Sequence, residues 1–363
     1  MTLTVPPVRY GLILSGKDQL SVSALKMPLL QPGQVLVKTA CVALNPSDAK
    51  IVAAGFPSGV LAGVEFAGTV AAVCSMDLPR TFKVGERVCG TCCGYRECDD
   101  TGAFADYVVA DSEFLLRVPD TLSFEQAATL PVVVLTAGMA LFHRLGLKDY
   151  LPEADRNVLV YGGSTASGLA IIQILKHFNL RPIAVCSPHN FDLVKAAGAA
   201  AVVDYHSESC AEQIREASDD KLGIAVDCIT NADSMRVCYE ALRQPASPGE
   251  TPLRYLALDS FPVKGHARRS VRPSWVFATT AFGVSVDWGA PYKTKAHPGH
   301  RAFAVEWMRE AQVLVYQGIL QPGRVRLVDG QGLVDSVGKG LELIRLGAVS
   351  GEKLVCRSVP FGA

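Results

Sequence analysis

The sequence has no excess of charge of either sign: its 363 residues include 35 Lys and Arg against 35 Asp and Glu. This balance excludes a strong overall field for binding nucleic acid or an anionic membrane surface. Long hydrophobic runs are also absent, since the longest uncharged run, QAATLPVVVLTAGMALF, is about 17 residues with a proline, against the roughly 20 that a membrane helix needs. The N-terminal segment MTLTVPPVRYGLIL lacks the features of a secretory signal. We therefore expect no nucleic acid and no membrane among the partners.

Cysteine is plentiful, but its pattern does not indicate a disulfide framework. The count of 11 is odd, and most cysteines stand among apolar neighbours, as Cys41, Cys186 and Cys356 do. Such cysteines behave as small hydrophobic residues and are typical of a reducing compartment. We therefore expect a soluble, cytoplasmic protein.

Two kinds of strand pattern divide the chain. From residue 157 onward, short β-branched runs such as NVLVYG, RPIAVCS and GIAVDCI alternate with helical stretches, which predicts a doubly wound parallel sheet. Before residue 130, strands with close Gly and Pro punctuation, such as QVLVKTACVALN, predict a partly open antiparallel barrel. The predicted fold is α/β, with a barrel domain over 1–130, a parallel-sheet domain over 131–300 and a return to the barrel over 301–363.

A glycine-containing loop, YGGSTASG, follows the first strand of the parallel-sheet pattern and opens a helix. The amino end of a helix attracts a phosphate because its N–H groups are unpaired and carry partial positive charge. Thr165 stands where a third glycine is usual, and neighbouring hydroxyls can donate to phosphate oxygens in its place. An ordinary helix cap is the alternative interpretation. The predicted pyrophosphate-binding residues are Gly162, Ser164, Thr165, Ala166, Ser167 and Gly168.

The end of the next strand predicts which dinucleotide is bound. An acidic residue there would bind the ribose hydroxyls of NAD, but this chain has CSPHN, without an acid. A carboxylate would repel a 2′-phosphate, whereas polar donors can bind it. The pattern therefore favours NADPH over NADH, and the predicted phosphate-binding residues are Ser187, Pro188, His189, Asn190 and Tyr205.

Several motifs together resemble a known family. LNPSDAK, GVEFAGTV, VGERVCG, AATLPVVVLTAGMAL and YGGSTASG are similar to the zinc-free quinone-oxidoreductase branch of the medium-chain dehydrogenase/reductases. CSPHNFDL, DCIT and SGEKLV resemble, more narrowly, the fungal trans-acting enoyl reductases of polyketide synthases, of the lovastatin-pathway type. The resemblance covers nearly the whole chain, and it implies a GroES-like barrel domain and a Rossmann NADPH-binding domain.

The resemblance also implies an activity and a partner. The family reduces the α,β-double bond of a polyketide thioester carried on the acyl carrier protein of a highly reducing polyketide synthase, often fused to a peptide synthetase module. The run GHARRSVR is either a docking patch for an acidic carrier protein or a solvated loop. We lean to a monomer, and two alternatives stay open: a free-standing quinone or alkenal reductase, and a non-catalytic NADPH-binding protein.

Site residues follow from the same resemblance. Ser47, Asp48 and Lys50 are expected to face the cofactor or substrate, and Leu258, Asp259, Val349 and Ser350 to lie on the nicotinamide side. The expected acyl pocket consists of Thr136, Ala137, Ala281, Phe282, Gly283, Val284 and Ser285. Lys50 and Thr136 are the catalytic candidates, as donors to a developing enolate-like oxygen. Their alternatives are a solvated lysine and a threonine bonded to its own helix.

Metal and proton donor are the two points where this sequence departs from relatives of the wider family. Zinc alcohol dehydrogenases place a Cys where this chain has NPSD and a His where it has Val64, so no catalytic zinc is predicted. The four thiols Cys89, Cys92, Cys93 and Cys98 do not have the spacing of the family's structural zinc lobe, and we predict no metal there. Mitochondrial enoyl reductases have a proton-donating tyrosine at the position of Phe56, so the proton source stays open between water and the substrate itself.

Overall fold

The computed structural model describes residues 5–74, 80–97, 101–148, 156–244, 252–261 and 268–358. The chain divides into two compact units. We call Met1–Val132 with Thr279–Ala363 the barrel unit and Val133–Ala278 the sheet unit. The return to the barrel unit thus begins at Thr279 and not at residue 301, because the segment from Thr279 to the next long helix forms short turns and supplies no strand to the parallel sheet.

The strands, in chain order, are β1 Val8–Gly16, β2 Gln19–Lys26, β3 Gln34–Ala43, β4 Val60–Leu61, β5 Glu65–Val73, β6 Arg87–Thr91, β7 Tyr107–Asp111, β8 Leu115–Arg117, β9 Asn157–Tyr161, β10 Arg181–Val185, β11 Ala201–Val203, β12 Ile224–Asp227, β13 Leu253–Ala257, β14 Val271–Trp275, β15 Val286–Asp287, β16 Lys293–Thr294, β17 Arg324–Leu327 and β18 Glu352–Arg357. The helices are α1 Pro46–Ala54, α2 Phe124–Ala127, α3 Pro131–Gly138, α4 Ala166–His177, α5 Phe191–Ala197, α6 Cys210–Ala217, α7 Ala232–Ala241, α8 Pro298–Tyr316 and α9 Leu333–Arg345. Short 3-10 turns cover Ser112–Phe114, Pro188–Asn190 and Ala278–Phe282, and a π-helical turn covers Met139–Arg144.

The barrel unit is organised around β3. This strand pairs antiparallel with β5 along most of its length, and with β7 over residues 34–38 and β18 over residues 41–43. The ladder with β5 contains two register shifts. The larger sheet runs β17-β18-β3-β5-β6-β8, and a smaller one runs β2-β1-β4. Since β18 pairs with β3, the end of the chain does return to the barrel, as the sequence predicts.

The sheet unit contains six parallel strands in the order β11-β10-β9-β12-β13-β14. β9 is buried along its whole length, and β12 likewise, which explains their continuous apolar sequences. The order reverses between β9 and β12. Dinucleotides bind at such a reversal, outside the carboxyl ends of the strands.

The apolar stretch Phe124–Arg144 belongs to the core. Its 21 residues are long and apolar enough to cross a membrane, but 78% of its most apolar window is buried inside the protein. In the described ranges it is the one helical stretch that meets these criteria of length and composition. Burial of this kind is the pattern of a core helix.

Candidate functional site

A tight glycine turn joins β9 to α4. Gly162 has φ +78°, a left-handed conformation that favours glycine, and a Cβ on it would lie 2.9 Å from the side chain of Ile229. Gly168 lies in the first turn of α4, where a Cβ would stand 2.4 Å from the carbonyl oxygen of Gly162. The left-handed backbone at Gly162 and the close backbone contact at Gly168 therefore favour glycine at both positions. The turn leads into the amino end of a 12-residue helix.

Thr165 closes this turn. Its hydroxyl donates to the carbonyl oxygen of Gly162 at 2.8 Å and accepts from the N–H of Gly168 at 3.0 Å, as the N-cap of α4. Because its proton is committed to Gly162, the hydroxyl is not available as a donor to a phosphate. We therefore assign Thr165 to shaping the loop, whereas Ser164, Ala166 and Ser167 are half-buried and stay predicted phosphate contacts.

The segment after β12 lies beside the glycine turn. The N–H of Cys228 donates to the carbonyl oxygen of Tyr161 at 2.9 Å, which places the next residues at the reversal point of the sheet. Ile229 keeps 44% of its surface exposed there. The residues of the DCIT motif were not predicted to belong to the site, although their position directly after a central strand was a usable signal.

Polar side chains meet at the ends of β10 and β11. The hydroxyl of Ser187 donates to that of Tyr205 at 3.3 Å, and Tyr205 packs its ring on His206 with centroids 3.9 Å apart. The nearest acid, Asp204, pairs with the His206 ring at 2.8 Å. His189 and Pro188 are exposed, but Asn190 is 0% exposed, so it presents no surface to a ligand.

Leu258 and Asp259 follow β13 at the same edge of the sheet unit. The N–H of Leu258 donates to the carbonyl oxygen of Asp227 at 3.0 Å, and the carboxylate of Asp259 accepts from the N–H of Ser260 at 2.7 Å. Both residues are half-buried. Thr136 and Ala137 belong to the same unit, within α3; Thr136 is 8% exposed and Ala137 0%. Ala137 therefore offers no surface to a substrate in this conformation.

In the barrel unit, the NPSD motif starts α1. Asn45 is the N-cap, and a proline occupies the first turn, where a missing N–H costs nothing. The carboxylate of Asp48 accepts from the N–H of Asn45 at 2.9 Å, which completes a capping box. Ser47 is half-buried and Lys50 exposed, so these two residues are accessible on the helix.

Asp48 is enclosed and not exposed. Its side chain has 0% exposure and accepts a hydrogen bond from the hydroxyl of Tyr95 at 2.9 Å, while the indole of Trp288 donates to the carbonyl oxygen of Tyr95 at 3.0 Å. Burial is the main cause that raises the pKa of Asp48 to about 7, and the hydrogen bonds from Tyr95 and Asn45 partly oppose it. We therefore assign Asp48 to supporting α1, whereas contact of Ser47 and Lys50 with a ligand stays a prediction.

A second buried acid of the barrel unit is neutralised by lysine. Glu65 is 0% exposed and pairs with Lys353, whose ammonium also donates to the carbonyl oxygen of Thr129 at 3.3 Å. Oε2 of Glu65, which faces Lys353, also accepts from the side-chain amide of Asn45 at 3.2 Å. Oε1 of Glu65 accepts from the N–H of Val132 at 2.7 Å, at the start of α3. Lys353 thus supplies the positive charge that a buried carboxylate requires.

Metal-binding groups are absent from the described ranges. No cluster of three or more His, Cys, Asp or Glu side chains that could hold a metal occurs in them. Cys89 lies in β6, and Cys89, Cys92 and Cys93 are buried free thiols. Burial raises the pKa of Cys93 to about 12, so its side chain is a thiol at neutral pH. Cys98 lies outside the described residues.

The predicted acyl-pocket segment forms a turn in the barrel unit. Phe282 packs against Phe114 with ring centroids 4.6 Å apart, and His300 of α8 lies 2.8 Å from the hydroxyl of Thr280. Ala281 is 0% exposed, Phe282, Gly283 and Val284 are half-buried and Ser285 is exposed. Val349 is half-buried and Ser350 exposed, just before β18. Ala281 supports this turn, whereas its four successors have surface available.

This chain is similar to known proteins in both sequence and fold. The family described as alcohol dehydrogenase GroES-like domain matches residues 31–120, and that described as zinc-binding dehydrogenase matches 166–247. The trans-enoyl reductase opdC of Penicillium oxalicum is 40% identical over 341 residues, 91% of each chain. The trans-enoyl reductase caaB of Aspergillus niger is 39% identical over 370 residues, 98% of each chain. A solved structure of a putative zinc-dependent alcohol dehydrogenase from Rhizobium etli has a TM-score of 0.78 at 22% identity, covering 98% of this chain and all of that one.

The barrel with its parallel-sheet partner, and the glycine turn at the sheet's reversal point, define a nicotinamide-dependent oxidoreductase of the medium-chain dehydrogenase/reductase class. Within that class, the family is shown by the 39–40% identity to curated trans-enoyl reductases over 91–98% of the chain. The chain belongs to the trans-enoyl reductase family, and it is an enoyl reductase.

Proposed function

We propose that this enoyl reductase uses NADPH to reduce the α,β-double bond of a polyketide thioester, presented by the acyl carrier protein of a separate, highly reducing polyketide synthase or synthase–peptide synthetase hybrid. The observation that carries the proposal is the near-full-length similarity to trans-enoyl reductases, together with a built dinucleotide loop in the sheet unit. Buried free thiols support a reducing, cytoplasmic setting.

The loop residues fit a dinucleotide. An added Cβ at Gly162 or Gly168 would fill the turn, and the helix that follows offers unpaired N–H groups to a pyrophosphate. Ser164, Ala166 and Ser167 would hold that group, with Leu258, Asp259, Val349 and Ser350 on the nicotinamide side. When bound, the reduced nicotinamide supplies a hydride.

The extra phosphate of NADPH is favoured by the ends of β10 and β11. Ser187, His189 and Tyr205 offer two hydroxyls and an imidazole at the place where an NAD enzyme has an acid. The carboxylate of Asp204 is bound to His206, and its hydrogen bonds from His206 lower its pKa. We expect NADPH to bind at least about tenfold more tightly than NADH, or about 1.4 kcal/mol.

The residues of the chain must then stabilise charge on the thioester. In the overall reaction a hydride joins the β-carbon, the π electrons move toward the thioester oxygen and a proton joins the α-carbon. We propose Lys50 as one donor to that oxygen, because its exposed ammonium lies on a helix fixed at its start by a complete capping box. Thr136 is proposed as another, and one such donor is typically worth about 2.7–4 kcal/mol. The turn from Phe282 to Ser285 is the proposed contact for the acyl chain.

One of the two outer strands of the sheet unit, β14, favours a monomer. The N–H of Val276 donates to the carbonyl oxygen of Ala257 at the end of β13. Since the backbone N–H groups of successive residues in a strand point to opposite sides, the backbone nitrogen of Pro273 in β14 points away from β13, and it has no hydrogen to donate there. A second sheet therefore cannot pair regularly along this edge. We expect one chain per particle in sedimentation at micromolar concentration; a stable dimer would contradict this expectation.

The arginine run gives limited support to carrier-protein docking. Arg268 donates to the carbonyl oxygens of Tyr239, Leu242 and Arg243 at 2.7–2.9 Å, so it caps the end of α7. Arg269 and Arg272 are exposed at the start of β14, and residues 265–267 lie outside the described ranges. Among the described residues of this run, Arg269 and Arg272 are therefore the two arginines whose side chains are exposed for docking.

Steady-state oxidation of NADPH tests the proposal. The protein is supplied with an enoyl-pantetheine thioester, a quinone or an unsaturated aldehyde, each with NADPH and with NADH. We expect the thioester with NADPH to give the highest kcat/KM. Preference for the quinone or aldehyde would indicate a free-standing reductase of small electrophiles, and NADPH binding without turnover of any acceptor would indicate a non-catalytic binding protein.

A further inference from the structure

The carboxylate of Asp227 joins three segments at the end of β12. Its Oδ1 accepts from the N–H groups of Ile229 and Thr230, each at 2.9 Å. Its Oδ2 accepts from the hydroxyls of Ser234 at 2.6 Å and Tyr255 at 2.8 Å. Asp227 is 0% exposed. Four donors on a buried carboxylate make a rigid junction, since removing the carboxylate would leave all four donors without this acceptor.

The backbone of Asp227 adds to this junction. Its carbonyl oxygen accepts from the N–H of Leu258 at 3.0 Å and from the hydroxyl of Thr230 at 3.2 Å. Leu258 is one of the residues proposed to lie on the nicotinamide side. A single residue therefore connects the ends of β12 and β13 with the segment that follows β12.

That segment has a strained backbone. Thr230 has φ +61°, and a β-branched residue at positive φ is a genuine outlier that persists only where its surroundings impose it. Oδ1 of Asp227 imposes it, by holding the Thr230 N–H. The result is that Ile229 stays 44% exposed at the place where a Cβ on Gly162 would collide with it.

We propose that Asp227 is a positioning residue for the dinucleotide: its Oδ1 holds residues 228–230 as the wall that faces the glycine turn. This inference rests on the proposed function, which supplies the dinucleotide. The two bonds to Oδ2 anchor the carboxylate from the core side, and the two bonds to Oδ1 hold the wall.

The test separates positioning from stability by comparing variants that remove the bonds to Oδ1 of Asp227 with a variant that removes only a bond to Oδ2. In Asp227→Ala both sets of bonds are lost, whereas Tyr255→Phe removes one anchor and leaves the wall intact. We expect both variants to unfold at lower temperature, but the Kd for NADPH, titrated well below either unfolding transition, to rise at least tenfold in Asp227→Ala and less than twofold in Tyr255→Phe. Asp227→Asn keeps an acceptor for Ile229 and Thr230 and should bind NADPH within about threefold of wild type.

The variant Thr230→Pro tests independently whether displacing residues 228–230 weakens NADPH binding. Proline cannot adopt positive φ and has no N–H, so the wall is displaced while Ser234 and Tyr255 keep their bonds to Asp227. We expect a lower unfolding temperature, because the native φ is incompatible with proline and the bonds from Thr230 to Asp227 are lost, and at least a tenfold rise in the Kd for NADPH, titrated well below that transition. Wild-type affinity in folded Thr230→Pro would overturn the inference, as would wild-type affinity in folded Asp227→Ala. A wild-type protein that binds no NADPH would overturn the proposed function, and this inference with it.

Discussion

Replacing Gly168 by alanine tests whether close packing inside the dinucleotide loop is essential. The new Cβ would stand 2.4 Å from the carbonyl oxygen of Gly162 and 2.9 Å from the Cα of Gly163. A normal contact of about 3.5 Å requires the loop to move by about 1 Å. That oxygen accepts both the N–H of Thr165 at 3.0 Å and its hydroxyl at 2.8 Å, so the whole turn must shift with it.

The expected costs follow from that displacement. Overpacking costs about 1–3 kcal/mol of unfolding free energy, which exceeds the ~0.5–1 kcal/mol that alanine gains over glycine within a helix. A misplacement of about 1 Å in a binding site can cost on the order of a hundredfold in function. For Gly168→Ala we therefore expect a lower unfolding free energy and at least a tenfold weaker NADPH affinity.

The matched control is Gly338→Ala in α9. This glycine is also helical, and a Cβ there meets nothing within 4 Å, so only the gain in helix propensity remains. We expect about 0.5–1 kcal/mol of stabilisation and unchanged NADPH binding. Urea unfolding and NADPH titration measure both variants. If Gly168→Ala matched Gly338→Ala in stability and affinity, the close-packing argument for the loop would be refuted.

Three further predictions concern the barrel unit. Lys50→Ala should lower kcat by about a hundredfold or more, as loss of one oxyanion donor does, with the Kd for NADPH within about twofold; unchanged turnover would remove Lys50 from the mechanism. The folded pKa of Asp48 is about 7 against an ordinary 3.8, so its contribution to stability is complete below pH 4 and declines as pH rises to 7. Between pH 5 and pH 8 the decline is about 3 kcal/mol, and urea unfolding of Asp48→Asn should lack it; parallel pH profiles would contradict the assignment. Lys353→Met should cost about 3–5 kcal/mol by leaving the Glu65 charge uncompensated, and Glu65→Gln in the same protein should restore most of it; no recovery would show that the cost is not electrostatic.

The fold was predictable where the hydrophobic pattern of the sequence identifies a buried strand and the rules of strand connection fix its neighbours. Buried parallel strands such as β9 and β12 have continuous apolar sequences, and the strand order then follows from chain connectivity. The sequence predicts the return to the barrel at residue 301 and not at Thr279, because residues 279–297 contain only a turn and a hairpin of two two-residue strands, which have no periodic signature. Their attachment to the barrel depends on contacts such as Phe282 with Phe114, which are distant in sequence.

The site was less predictable than the fold, for a physical reason. A motif indicates which residue types are present but not which atoms their side chains bind. Thr165 and Asp48 both occur in ligand-binding motifs, yet their polar atoms satisfy the backbone at a helix start. Conversely, Ile229 was missed because an apolar residue after a strand carries no chemical signal. Its significance depends on the sheet order and on the contact with Gly162.

Deuterium transfer measures whether the hydride comes from the nicotinamide without help from a metal. The protein is incubated with NADPH deuterated at C4 of the nicotinamide, each face labelled in turn, and with an enoyl-pantetheine thioester in the presence of a metal chelator. Our account predicts one deuterium at the β-carbon of the saturated thioester from one of the two labelled cofactors. A saturated product without cofactor deuterium, or loss of turnover that only zinc restores, would contradict it.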